Sequence, residues 1–152
     1  MTSFVQALVA NAAKSLSAGS PSYRHNGRGE ADPIPSYDVI GFTRAVLSLA
    51  LGNPNLPDMK PKMAGALLTE QLEELALAWG MQRIPAKEAR VGDVIVFDTK
   101  TDGALFGIIS QDCGSNKHWD EGRVIGGLWC RGAREFYMTR ERRNTAAAFR
   151  AV

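Results

Sequence analysis

Tyr37-Asp38-Val39-Ile40-Gly41-Phe42-Thr43-Arg44 follows a Pro/Gly-rich run and starts a new pattern. From Asp38 to Leu51, Val39, Phe42, Val46, Leu49 and Ala50 fall on one helical stripe. Ser36 or Asp38 can cap the helix, and Gly52-Asn53-Pro54 stops it. This spacing predicts a central buried helix. About fifty residues on stands a second pattern, Arg90-Val91-Gly92-Asp93-Val94-Ile95-Val96-Phe97-Asp98, followed by Leu105-Phe106-Gly107-Ile108-Ile109. Its β-branched runs, separated by Thr99-Lys100-Thr101-Asp102-Gly103, predict two strands joined by a turn.

Outward from these stretches, Phe4, Val5, Leu8, Val9, Ala12 and Leu16 predict an amphipathic helix over 3–17 with Ser3 as its cap. It should end near Ala18, because Gly19 and Pro21 follow. Residues 19–35 hold three Pro and three Gly and read as one long loop containing Tyr23, Arg24, His25 and Asn26. Asn53 to Pro61 is a second, Pro-rich loop. Met63, Leu67, Leu68, Leu72, Leu75, Ala76 and Trp79 predict another helix, ended by Gly80, with Glu70, Glu73 and Glu74 on its wet side. Arg83-Ile84-Pro85 should be extended. After a polar loop from Gln111 to Gly122, residues 123–129 and 135–139 read as strands, and Asn144 to Arg150 as a short helical end or a frayed tail. Helices first and an antiparallel sheet of about four to five strands afterwards make the fold class α+β.

A length of 152 residues suits a single domain, 1–152, with a core of useful size. With 45% hydrophobic and 22% charged residues, the chain has an ordinary globular composition, and a net charge of +2 does not call for nucleic acid. The basic excess is local: seven Arg follow from position 123 onward, against Glu135 and Glu141. That region reads as a solvated tail or strand edge, with a phosphate- or acid-binding patch as the alternative. No apolar run reaches bilayer length, so no membrane span is expected, and the N-terminus lacks the basic region of a secretory signal. The expected location is the cytosol, or delivery without a signal peptide, as in a phage particle or secretion system. Cys113 and Cys130 read as free thiols rather than a disulfide.

The order of these motifs resembles the NlpC-type cell-wall endopeptidases, papain-like enzymes that cut peptidoglycan stem peptides next to D-glutamate. The resemblance runs from about Tyr23 to Leu128. Its most specific piece is Gly92-Asp93-Val94-Ile95-Val96-Phe97, similar to the family's Gly-Asp-Leu-Val-Phe-Phe. It implies a papain-like fold. In the family's Asp-Cys-Ser-Gly-Phe motif the Cys is the nucleophile, activated by the helix N-terminus; the matching residues here are Asp38, Val39, Ile40, Gly41 and Phe42. In the family's His-Val-Gly-Ile motif the His is the general base; here Leu105, Phe106, Gly107 and Ile108 match. The third position, which orients the His, falls near Ile125-Gly126-Gly127, without a polar side chain.

The ordinary cysteine-peptidase mechanism is therefore not expected here, and no catalytic residue is assigned. Val39 and Leu105 should face each other as plain core, or else floor a groove that still takes a peptide. Cys113 and His118 share one polar loop with Asp112, Asp120 and Glu121, a poor place to fix catalytic geometry. Cys113, His118, Asp120 and Cys130 lack zinc-site spacing, and no metal or other cofactor is expected. His25 reads as a surface histidine. Tyr23 resembles a family tyrosine lining the substrate site, and Tyr23 with Asp38 are the residues expected to retain recognition. The expected function is a catalytically inactive NlpC-like domain binding a peptidoglycan stem peptide or a protein partner. The alternatives are a structural component of a phage tail or secretion system, and a cysteine hydrolase using non-standard residues.

Overall fold

A computed structural model describes residues 3–31, 34–61, 67–99, 103–111, 122–128, 132–137 and 145–152. Helix α1, Phe4–Ala18, starts in a capping box: the Ser3 hydroxyl accepts from the Gln6 N–H, and the Gln6 side chain accepts from the Ser3 N–H. Helix α2, Val39–Leu51, is capped by Asp38 rather than Ser36, and it ends at Gly52 in the left-handed conformation, φ 67°. Val39, Phe42 and Val46 of its apolar stripe are buried, together with Ile40 and Leu47, whereas Ala50 is half-buried and Leu49 is exposed. Helix α3, Thr69–Ala78, begins after Leu67 and Leu68, which the pattern places in it, while Met63 lies outside the described residues. Leu67 lies outside it, and its carbonyl accepts from the N–H of Ala104 instead.

The stretch 19–35 is not one loop. It carries β1 (Ser22–Tyr23) and β2 (Arg28–Ala31) and leads into β3 (Pro35–Tyr37), a small sheet ordered β1-β3-β2. Strands this short contain too few residues for an alternating pattern to stand out.

The main sheet has six strands in the order β4-β9-β5-β6-β7-β8, one beyond the upper expectation. They are β4 (Gln82–Ile84), β5 (Val94–Thr99), β6 (Gly103–Gln111), β7 (Arg123–Leu128), β8 (Gly132–Tyr137) and β9 (Thr145–Arg150), and each pairing is antiparallel. The segment 145–150, expected as a helical end or tail, is the strand between β4 and β5. Ala147, Ala148 and Phe149 are buried there, and tertiary packing overrides the helix preference of alanine.

The fold is α+β, with the helices packed on this sheet. Successive residues of β5 and β6 are buried, so both faces of these strands are covered, which explains their unbroken apolar runs. On one face Trp79, the C-cap of α3, packs against Phe106, and on the other Leu105 pairs with Phe97, which meets Phe136 edge-on. Among the described residues no helix is long and apolar enough to cross a membrane.

Candidate active site at the N-terminus of helix α2

Asp38 holds the first turn of α2. Its Oδ1 accepts from the Gly41 N–H at 2.7 Å and from Arg28 Nη1 at 2.7 Å, and its Oδ2 accepts from the Asn26 N–H at 3.1 Å. Arg28 extends the tie. Its Nε lies 3.0 Å from both Asp58 carboxylate oxygens, and Nη2 donates to the Met59 carbonyl at 2.8 Å. One side chain thus fastens the small sheet, the start of α2 and the loop after it. Burial opposes the Arg28 charge, but its hydrogen bonds to Asp58 and Asp38 outweigh it and hold the guanidinium above its ordinary pKa. Burial likewise pushes the Asp58 carboxyl up, yet Arg28 wins and holds it below its usual range.

Gly41 makes this corner possible. A Cβ there would lie 2.0 Å from the Gly27 carbonyl oxygen, which accepts from the Asp38 N–H and from Arg28 Nη1. The loop can approach the helix this closely only where a side chain is missing.

Val39 occupies the first helical position, where the helix N–H groups would stabilise a thiolate, and is 6% exposed. Leu105, on β6, is 2% exposed and belongs to the same continuous apolar core as Val39. Ile125 is buried and apolar, and a Cβ on Gly126 would lie 2.6 Å from the Phe106 carbonyl oxygen. The three positions present hydrocarbon or bare backbone.

Tyr23 is half-buried on β1, opposite Tyr37, which immediately precedes Asp38. Tyr23, Asp38 and Val39 therefore share one corner. His25 is half-buried rather than a surface residue, and its Nδ1 is buried without a hydrogen-bond partner among the described residues. Sequence reasoning missed Arg28, whose role comes from contacts 10 and 30 residues away and has no local signature. Cys113, His118, Asp120 and Cys130 lie outside the described residues.

This geometry belongs to the NlpC/P60-like fold. The chain aligns over 97% of its length with a crystal structure from Staphylococcus aureus, a protein of the NLP/P60 family described as similar to lipoprotein, at a TM-score of 0.55 and 16% identity. The alignment spans 41% of that longer chain. No protein-family model matches the sequence, and no curated protein matches it.

Proposed function

We propose that the chain is an NlpC-like domain without cysteine-peptidase chemistry, acting by binding a peptidoglycan stem peptide or a protein partner through the corner formed by Tyr23 and Asp38. The observation that carries this reading is the burial of Val39 and Leu105 at the nucleophile and base positions. Valine has nothing to ionise, and leucine cannot take a proton. Asp38 is no replacement base, because both of its oxygens already accept hydrogen bonds that hold the helix start.

The test is an NMR titration of the labelled protein with a D-glutamyl-diaminopimelate stem peptide, following the peptide's own spectrum in the same tube. Shifts clustered at Tyr23, Asp38 and Val39 with an intact peptide are the expected result. Cleavage of the peptide overturns the reading, and loss of that turnover in Cys113→Ala would assign it to a non-standard cysteine. An intact peptide without shifts favours a structural role, such as a phage-tail or secretion-system part. The depth at which Val39 and Leu105 are buried supports that second reading.

A further inference from the structure

At the other end of β6 from Leu105, about 17 Å along the strand, the chain forms a second polar concavity. A cavity of about 470 Å³ is lined by Lys14 and Ser17 of α1, Ser110 and Gln111 of β6, Ile125 of β7 and Glu135 of β8. Its volume lies in the lower part of the range for small-molecule sites. The register places a bulge here, since Ile109 pairs with Val124 and Gln111 with Arg123, leaving Ser110 as the extra residue. Bulges re-aim side chains and recur beside functional sites.

Ser110 is 4% exposed, and its hydroxyl donates to Glu135 Oε2 at 2.6 Å. Arg123 Nη1 donates to Glu135 Oε1 at 3.1 Å. Burial pushes the Glu135 carboxyl up, but these two bonds outweigh it and keep it below its usual range, so it is an anion at neutral pH. Such a carboxylate is a weak base for activating Ser110, and the arrangement suits binding rather than catalysis.

Lys14 makes no direct ion pair among the described residues, but its ammonium on the α1 wall is near enough to Glu135 on the β8 wall for its charge to favour the carboxylate, so the two charges face the same cavity. The nearby C-terminal end of α1 adds the negative end of a helix dipole. The hydroxyl of Ser17 donates to the Lys14 carbonyl and leaves its oxygen free to accept. Among the described residues the lining thus offers one cation, one ordered anion, further acceptors and the apolar face of Ile125. We propose that this cavity binds a free α-amino acid, its carboxylate at Lys14, its ammonium at Glu135 and its side chain against Ile125. Neither Tyr23 nor Asp38 lines this cavity, although Ile125 also stands at the third candidate-site position, and the proposal does not depend on whether that corner binds a peptide.

The experiment is calorimetric and NMR titration of the full chain with L-leucine, using acetate and methylammonium as the two half-ligands. Leucine should saturate, with shifts at Ser110, Gln111 and Glu135, and each half-ligand should bind at least about tenfold more weakly. Lys14→Met and Glu135→Gln should each weaken leucine binding about ten- to a hundredfold, the loss expected for one charge-assisted contact. Both variants should keep the wild-type circular dichroism, since both side chains reach solvent. Absence of a saturable response up to about 10 mM leucine, acetate binding as tightly as leucine, or wild-type affinity in either variant would overturn the proposal.

Discussion

Two aspartate–glycine pairs anchor opposite halves of the molecule, Asp38 with Gly41 at the start of α2 and Gly92 with Asp93 before β5. Each aspartate gathers hydrogen bonds, and each glycine leaves room for a foreign carbonyl. At α2 that carbonyl belongs to Gly27; before β5 it belongs to Gln6, which a Cβ on Gly92 would meet at 2.0 Å. Gly92 also sits at φ 89°, a conformation that side chains resist. Asp93 is fully buried and accepts from Gln6 Nε2 at 2.7 Å, from Arg150 Nε and Nη2 at 3.0 and 2.8 Å, and from the Arg90 N–H at 2.8 Å.

The two corners differ in redundancy. Arg28 keeps Asp58 and two carbonyls if Asp38 is lost, whereas Asp93 is the one carboxylate that Gln6, Arg90 and Arg150 share. Both motifs are recognisable because they carry the residues that set backbone geometry, an aspartate that gathers hydrogen bonds and a glycine that admits a carbonyl, while Val39 and Leu105 are buried hydrocarbon. Architecture and chemistry are separable within one short motif.

The largest effect should come from Asp93→Ala. The buried Gln6 amide, the Arg90 N–H and the partly exposed Arg150 guanidinium lose this acceptor together, with only the Glu88 carbonyl left to Arg150, and denaturant unfolding should show a loss of about 3 kcal/mol. Asp38→Ala should cost less, about 2 kcal/mol, because the cap is lost but Arg28 stays paired. Equal losses would break the contrast in redundancy. Asp58→Asn should cost about 0.5 to 1 kcal/mol near neutral pH, since this pair is partly solvated. The native Asp58 carboxyl is held below its ordinary value, so its contribution is complete above the unfolded pKa and disappears as pH falls through the folded one. Urea midpoints measured between neutral and acidic pH should therefore converge for wild type and Asp58→Asn. The smallest effect is on activity: Val39→Cys should give no stem-peptide hydrolysis in an assay resolving single turnovers, because Leu105 supplies no base. Measurable cleavage by that variant would show that the base lies elsewhere.

The β5–β6 hairpin was legible because burial on both faces writes an unbroken β-branched run, and α2 because cap, stripe and terminal glycine agree. By contrast, Ala147-Ala148-Phe149 carries the composition of a helix and becomes a strand only through its neighbours. The same holds for the Arg-rich end. Arg150, read as part of a solvated tail or strand edge, is an ordered partner of a buried carboxylate. At the candidate site, the place of Val39 in the first turn of α2 and of Leu105 in a strand could be read from the helix and strand patterns. The clasp of Arg28 on Asp38 and Asp58 could not, because ionic contacts between distant residues leave no periodic trace.

The place of β9 in the sheet has a consequence for biosynthesis. Its neighbours β5 and β4 are made about fifty and about sixty-five residues earlier, and neither can find its partner on that side until residues 145–150 leave the ribosome. During that interval two strand edges stay unpaired, and the pairings that close them span long stretches of chain. Folding of this sheet should therefore be completed only once β9 is available, with the nascent chain most prone to wrong strand pairing just before residues 145–150 emerge.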